Sequence, residues 1–402
     1  MEDAETTRLD QAEPEHHVER EQRVAPLELF FDLVFVFAFT QVTAYMSDTP
    51  TWEGLGEGAL ILMVVWWAWG GYAWLTNFVD PDETMARLVV FASMGAMLIA
   101  GLAIPEAFGT YSVLFGCAYF VVRALHIFFW AYANDDVDVA DAVRTLGVTA
   151  LPAPALLIIA GFFDGGAQAS LWIIALIIDF GGPYFFGVEG FRVSPSHFAE
   201  RFGLIIIIAL GESIVAVGAG VAGTSLDAGI VVGALAGVAI AGALWWAYFD
   251  VVAVVAERTF SRAEGAERNR IARDSYSYLH LPMIMGIVLL SLGVKKTLGH
   301  VDEPLETVPA VALCGGVALY LLAHVAFRLR NIGTWNRQRA LAAVICIALI
   351  PLATSVDALG ALLAITLVCV SLIAYEAVRY RDMRQKIRAG AGPEELPGLV
   401  AR

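Results

Sequence analysis

"PLELFFDLVFVFAFTQVT", residues 26–43, decides the fold class. It is apolar almost throughout and does not alternate with period two. A continuous run of this length predicts a helix that can cross a hydrocarbon core of about 30 Å, whereas a barrel strand would alternate. The run nevertheless carries Glu28, Asp32, Thr40 and Gln41. A charge at membrane depth costs about 2.5–3.5 kcal/mol on insertion scales, so these side chains need a physical reason.

Similar runs fill the chain. Of 402 residues, 58% are hydrophobic and only 16% charged, and the mean hydropathy is +0.69. A soluble domain carries about a quarter charged residues. Twelve spans are predicted: 27–47, 56–78, 86–104, 111–133, 143–163, 169–188, 199–222, 227–250, 276–298, 307–329, 337–353 and 357–380. The expected fold is an all-α polytopic membrane protein of about 12 transmembrane helices, with the lipid bilayer as its first partner. Residues 1–25 read as a disordered cytoplasmic tail rather than a cleavable signal, and 381–402 as a second tail. The net charge of −15 argues against a nucleic-acid partner. Cys117, Cys314, Cys346 and Cys369 fall inside spans without metal-type spacing and read as small packing residues.

Arginine placement gives orientation. One set of alternate connections holds Arg8, Arg20, Arg23, Arg87, Arg144, Arg192, Arg201, five arginines between 258 and 273, Arg328, Arg330, Arg337, Arg339 and a basic C-terminal cluster. The opposite set holds only Lys295 and Lys296. The positive-inside rule then puts both termini in the cytoplasm of the inner membrane, with 251–275 the largest cytoplasmic loop.

The chain also resembles itself. "FFDLVFVFAFTQ" (30–41) aligns with "RFGLIIIIALGE" (201–212) at an offset of 171, which makes Gln41 the mate of Glu212 and brings Glu28 near Glu200. "NFVD" (77–80) lies on "AYFD" (247–250), matching Asp80 to Asp250. "GCAYFVVRALH" (116–126) resembles "GGVALYLLAH" (315–324), matching His126 to His324, and Pro152 answers Pro351. Six spans per half give both halves the same orientation: two parallel six-helix repeats, 26–190 and 191–380. Repeats of this kind place a path at the interface between halves.

Together, "PLELFFDLVFVFAFTQVT", "NFVDPDETMAR" (77–87) and "HFAERFGLIIIIALGESIVAVG" (197–218) resemble the bacterial low-temperature-requirement A family. The resemblance covers 25 to about 385 and implies a polytopic bacterial inner-membrane protein needed for growth in the cold, without naming a reaction. A weaker similarity links "FFDLVFVFAFT" (30–40) to the "FSD" first-helix motif of a family of potassium channels, although Phe202-Gly203 replaces the Phe-Asp pair in the second half.

Depth sorts the ionisable residues. Glu28 and Asp32 are four apart and share a face at the mouth of the first helix. Glu28 also suits a helix start, where an acid complements the dipole; Asp32, deeper, has the poorer structural excuse. Glu212 lies near mid-membrane. Arg123 and His126 share a face of the fourth span, and Asp179 is midway along the sixth. Arg123, His126, Asp179 and Glu212 are expected to form one buried cluster, either an ion pair of Arg123 with Glu212 or Asp179 that fixes packing, or a proton relay. His280, His324, Asp80 and Asp250 are secondary candidates. Trp66 and Trp67 read as packing residues able to stack on a ligand.

No phosphate-binding loop, zinc motif or nucleophile elbow is present, and neither a cofactor nor a metal is expected. The function expected is movement of a small solute or ion, coupled to protons, along Glu28, Asp32, Gln41, Arg123, His126, Asp179 and Glu212. The alternatives are a cation channel lined by the first and seventh helices of a homodimer, a lipid-acting membrane enzyme, and a structural or sensory protein.

Overall fold

The computed structural model describes residues 24–79, 83–133, 147–148, 150–188, 191, 193–223 and 225–389. The first half contains α1 (Pro26–Asp48), α2 (Trp52–Leu75), α3 (Thr84–Ala103), α4 (Ser112–Ala133), α5 (Pro152–Ala160) and α6 (Gly165–Phe185). Next come α7 (Pro195–Gly220), α8 (Ala228–Phe249), α9 (Val252–Arg262), α10 (Gly265–Ile271) and, after a π-helical turn at Ala272–Tyr278, α11 (His280–Gly299). The chain continues through α12 (Thr307–Ile332), α13 (Arg337–Ala348), α14 (Ile350–Ala353), α15 (Ala358–Arg379) and α16 (Arg381–Arg388). No β-strand is found among the described residues, and the protein is an all-α polytopic membrane protein.

Local chemistry sets the helix starts. Pro26 opens α1, where its missing N–H costs nothing, and Glu28 reaches back to accept the Ala25 N–H at 2.9 Å. Thr51, Asp227, Asn336 and Asp357 each accept an N–H of the turn that follows, capping α2, α8, α13 and α15. Gly333, at φ 72°, ends α12 in a left-handed turn that a side chain would resist.

Among the described residues, ten helices are long and apolar enough to span a membrane. They match ten of the twelve expected spans. The other two, 143–163 and 337–353, differ. Of the first, α5 covers Pro152–Ala160, residues 147, 148 and 150 are also helical, and 143–146 and 149 lie outside the described residues. The second is split into α13 and α14, with Pro351 at the start of the second piece, where it has no N–H to continue the ladder. The expected loop at 251–275 is instead largely helical: α9 buries Val255, Ala256 and Phe260, and α10 runs into the π turn. The two expected tails lie mostly outside the described residues.

Packing partners recur along the chain. α1 lies against α2 and α3, α3 against α4, α4 against α5, α5 against α6, and α2 against α6. In the same order α7 lies against α8 and α11, α11 against α12, α12 against α13, α13 against α15, and α8 against α15. α1 also contacts α7 and α11, so the two sets meet there.

The outer surface is apolar: Leu33, Leu88, Phe185 and Val378 are all exposed, as a lipid solvent requires. Apolar burial then gains little between helices, and close backbone approach takes its place. A Cβ on Gly286 would lie 2.6 Å from Gly316 O, and one on Gly316 would lie 2.7 Å from Gly286 O, so α11 and α12 pack backbone to backbone. Gly286→Ala is therefore expected to lower the unfolding temperature in detergent, at a cost of about 1–3 kcal/mol. Gly242→Ala, whose Cβ meets open space, should leave it unchanged.

Candidate functional site

α1 and α7 run side by side in parallel, and their polar side chains meet in register. Near the helix starts, His197 Nε2 is 2.9 Å from Glu28 Oε2. One turn on, Arg201 lies between two acids, with Nη2 3.0 Å from Asp32 Oδ1 and Nη1 3.3 Å from Glu28 Oε1. Further along, Thr40 donates to Glu212 at 2.5 Å. These pairs are separated in sequence by 169, 169 and 172 residues.

The first group is sealed. Asp32 and Arg201 are 0% exposed, His197 1% and Glu28 2%. Trp69 of α2 donates its indole N–H to Asp32 Oδ1 at 2.9 Å, and its ring lies 5.8 Å from the Arg201 guanidinium carbon. Asn77, just beyond α2, accepts the Ser194 N–H at 2.7 Å through Oδ1. That bond turns its amide nitrogen toward His197 Nδ1, 3.0 Å away. Nδ1 therefore accepts from the amide, and Nε2 donates its hydrogen to Glu28. The group sets two carboxyl groups of α1 against one guanidinium of α7, all of them buried.

A second group lies between α2, α4 and α6. Arg123 Nη2 meets Asp179 Oδ1 at 2.8 Å, and Tyr119 donates to Asp179 Oδ2 at 2.9 Å. His126 Nε2 is 3.0 Å from both Gly71 O and Trp130 Nε1. Arg123 and His126 line a cavity of about 70 Å³ together with Trp66, Trp67, Trp74 and Trp130.

The expected single cluster is thus corrected. Arg123, His126 and Asp179 are together, but Glu212 is on α7 with Thr40, because α7 presents that face to α1 and not to α4. Gln41 is half-buried, and its neighbour Thr40 is the residue that reaches Glu212. Glu28 pairs with His197, whereas Glu200, its expected counterpart, accepts the Val24 N–H. His280 is bonded to Tyr248 and to Ser275 O. His324 Nδ1 is 3.1 Å from Arg339, which pairs with Glu376. Asp250 pairs with Arg384, and Asp80 lies outside the described residues.

Two arginines counted as loop charges, Arg201 and Arg339, are instead buried in ion pairs. His197 and Arg201 were missed as site residues. Their signal was spacing: His197 and Arg201 are four apart, as are Glu28 and Asp32, so two complementary faces were present in the sequence.

The seam is built from the motifs that carried the family resemblance, and the sequence profile of the bacterial low temperature requirement A protein (LtrA) matches residues 23–374. The chain belongs to the LtrA family. A relative from Rhizobium meliloti (strain 1021), described only as an uncharacterized protein, is 29% identical over 306 residues, which are 73% of this chain and 74% of the relative. No solved structure matches. Within this LtrA chain the Trp69 contact can be isolated. Trp69→Phe keeps a ring and removes the N–H, and is expected to cost about 1.5–3 kcal/mol of stability in detergent unfolding, as for a hydrogen bond to a charged group. An unchanged midpoint would show that the indole does not hold Asp32.

Proposed function

We propose that this LtrA-family protein moves a small solute or ion across the bacterial inner membrane, coupled to a proton or another cation. The observation that carries the reading is the pair of buried carboxyl groups that share one guanidinium where α1 meets α7. A carboxylate pair with one guanidinium between them is neutralised by one further positive charge, and a proton or monovalent cation supplies it. Glu212, buried further along the same seam and held by Thr40, is the next acceptor on the path. The recurrence of packing partners supports two six-helix halves, with the boundary near residue 190, that meet along this seam. Paired halves of this kind rock against one another in alternating access. Both termini would lie in the cytoplasm, by the arginine distribution, and the family's cold-growth requirement would follow from loss of this movement.

Reconstitution into liposomes with an internal pH dye, challenged with a range of ions and small solutes, tests the reading. Wild type should show a flux that Asp32→Asn and Glu212→Gln each reduce at least tenfold. A wild-type flux that both variants leave intact would put the path elsewhere.

A further inference from the structure

The end of α15 carries charge of one sign. Residues 379–388 hold Arg379, Arg381, Arg384, Lys386 and Arg388 against a single acid, Asp382, in a chain whose net charge is −15. Nearby on the same end of the bundle the signs are mixed: Arg330 binds Glu267 and Asp274, and Arg273 binds Asp274. Arg379, Arg381 and Lys386 are exposed and have no acidic partner among the described residues. Arg384 is the exception, with Nη1 3.1 Å from Asp250 Oδ2.

The charges stand on a fixed frame. Arg384 ties α16 to Asp250, just past α8, and its Nη2 bonds Ala377 O in the last turn of α15. Gln338 Nε2 donates to the Tyr380 hydroxyl at 3.2 Å, and Asn336 Nδ2 donates to Glu376 Oε1 at 3.2 Å. The start of α13 therefore stands at the height of the end of α15. Arg337, the first residue of α13, is exposed and also has no acidic partner among the described residues, so it joins the same patch.

Two aromatic rings give the depth of the patch. Trp335 is 63% exposed and Tyr375 48% exposed, and they precede Asn336 and Glu376, which are bonded to each other. Val378, 81% exposed, keeps the surface apolar up to the first of the cations. Exposed indole and phenol rings at the end of a spanning helix belong to the boundary between hydrocarbon and headgroups. The cations beside them then stand at the level of the lipid phosphates, where each attracts negative headgroups. The guanidinium fork also matches a phosphate in geometry.

We propose that this patch binds the headgroup of an anionic phospholipid through Arg337, Arg379, Arg381 and Lys386, with Trp335 and Tyr375 beside its acyl chains. A free phosphate has no apolar part for these rings to contact, so the lipid is the source. The proposal stands on this surface and not on the transport reading, because lipid association at equilibrium needs no flux.

Trp335 provides the test, because brominated lipids quench an indole that they touch. The full chain is placed in phosphatidylcholine vesicles that contain increasing amounts of brominated phosphatidylglycerol or of brominated phosphatidylcholine. The Trp335 signal is the difference between wild type and Trp335→Phe. The anionic lipid is expected to quench it about threefold or more strongly than its zwitterionic twin at equal content. In about 1 M salt, where charges are screened beyond about 3 Å, the preference should fall toward equality. The combined substitutions Arg379→Gln, Arg381→Gln and Lys386→Gln should remove it at an unchanged unfolding temperature, since none of the three is in an ion pair among the described residues. Glycerol phosphate added in solution should not displace the lipid. Equal quenching by the two lipids, a preference that salt or the combined substitutions leave intact, or displacement by glycerol phosphate would each overturn the proposal.

Discussion

The Arg201 guanidinium, buried on α7 between Glu28 and Asp32 of α1, is the contact on which the rest of the structure depends. Removing such charges from water costs several kcal/mol per ion, and only close partners repay it. The partners here come from opposite halves of the chain, so the pairing fixes which face of α7 meets α1 and at what height. Once that register is set, Thr40 falls opposite Glu212, and Trp69 of α2 falls against Asp32. Asn77 then closes the end of the seam by holding both His197 and the Ser194 N–H.

Two kinds of packing surround this seam. α11 and α12 approach through Gly286 and Gly316 with their backbones in contact, an arrangement that has little room to deform. α2, in contrast, is held by directional bonds from its indoles, to Asp32 through Trp69 and to Ser277 through Trp66 and Trp74. Hydrogen bonds of this type can be exchanged for others without opening a void. The same helix therefore touches both polar stations, the charged seam on one face and the indole-walled cavity on the other.

Much of the architecture was legible because lipid imposes a simple rule: helices that cross it must be long and apolar. Where that rule is locally broken, legibility fails. The span at 337–353 reads as continuous because Pro351 is apolar, although proline interrupts the backbone ladder. In the candidate site, Glu28, Asp32, Arg123, His126, Asp179 and Glu212 stood out as charges in apolar surroundings, and all are buried. Arg201 did not stand out. It lies near a helix start, where positive residues are expected at the membrane surface, and only its contact with two carboxylates distinguishes it from a loop charge. Which acids pair with which bases was legible only in part: Arg123 was expected to face Glu212 or Asp179, and it meets Asp179, because periodicity places residues on a face but helix packing chooses the facing partner.

The central claim is that Arg201 compensates Glu28 and Asp32 directly, and a mutant cycle on unfolding in detergent tests it. Arg201→Met alone is predicted to cost about 3–5 kcal/mol, because two buried carboxylates lose their shared partner. On a background of Glu28→Gln and Asp32→Asn the same substitution should cost far less, since no stranded charge remains. Equal costs on the two backgrounds would mean that Arg201 does not hold the two acids, and the account of the seam would be wrong.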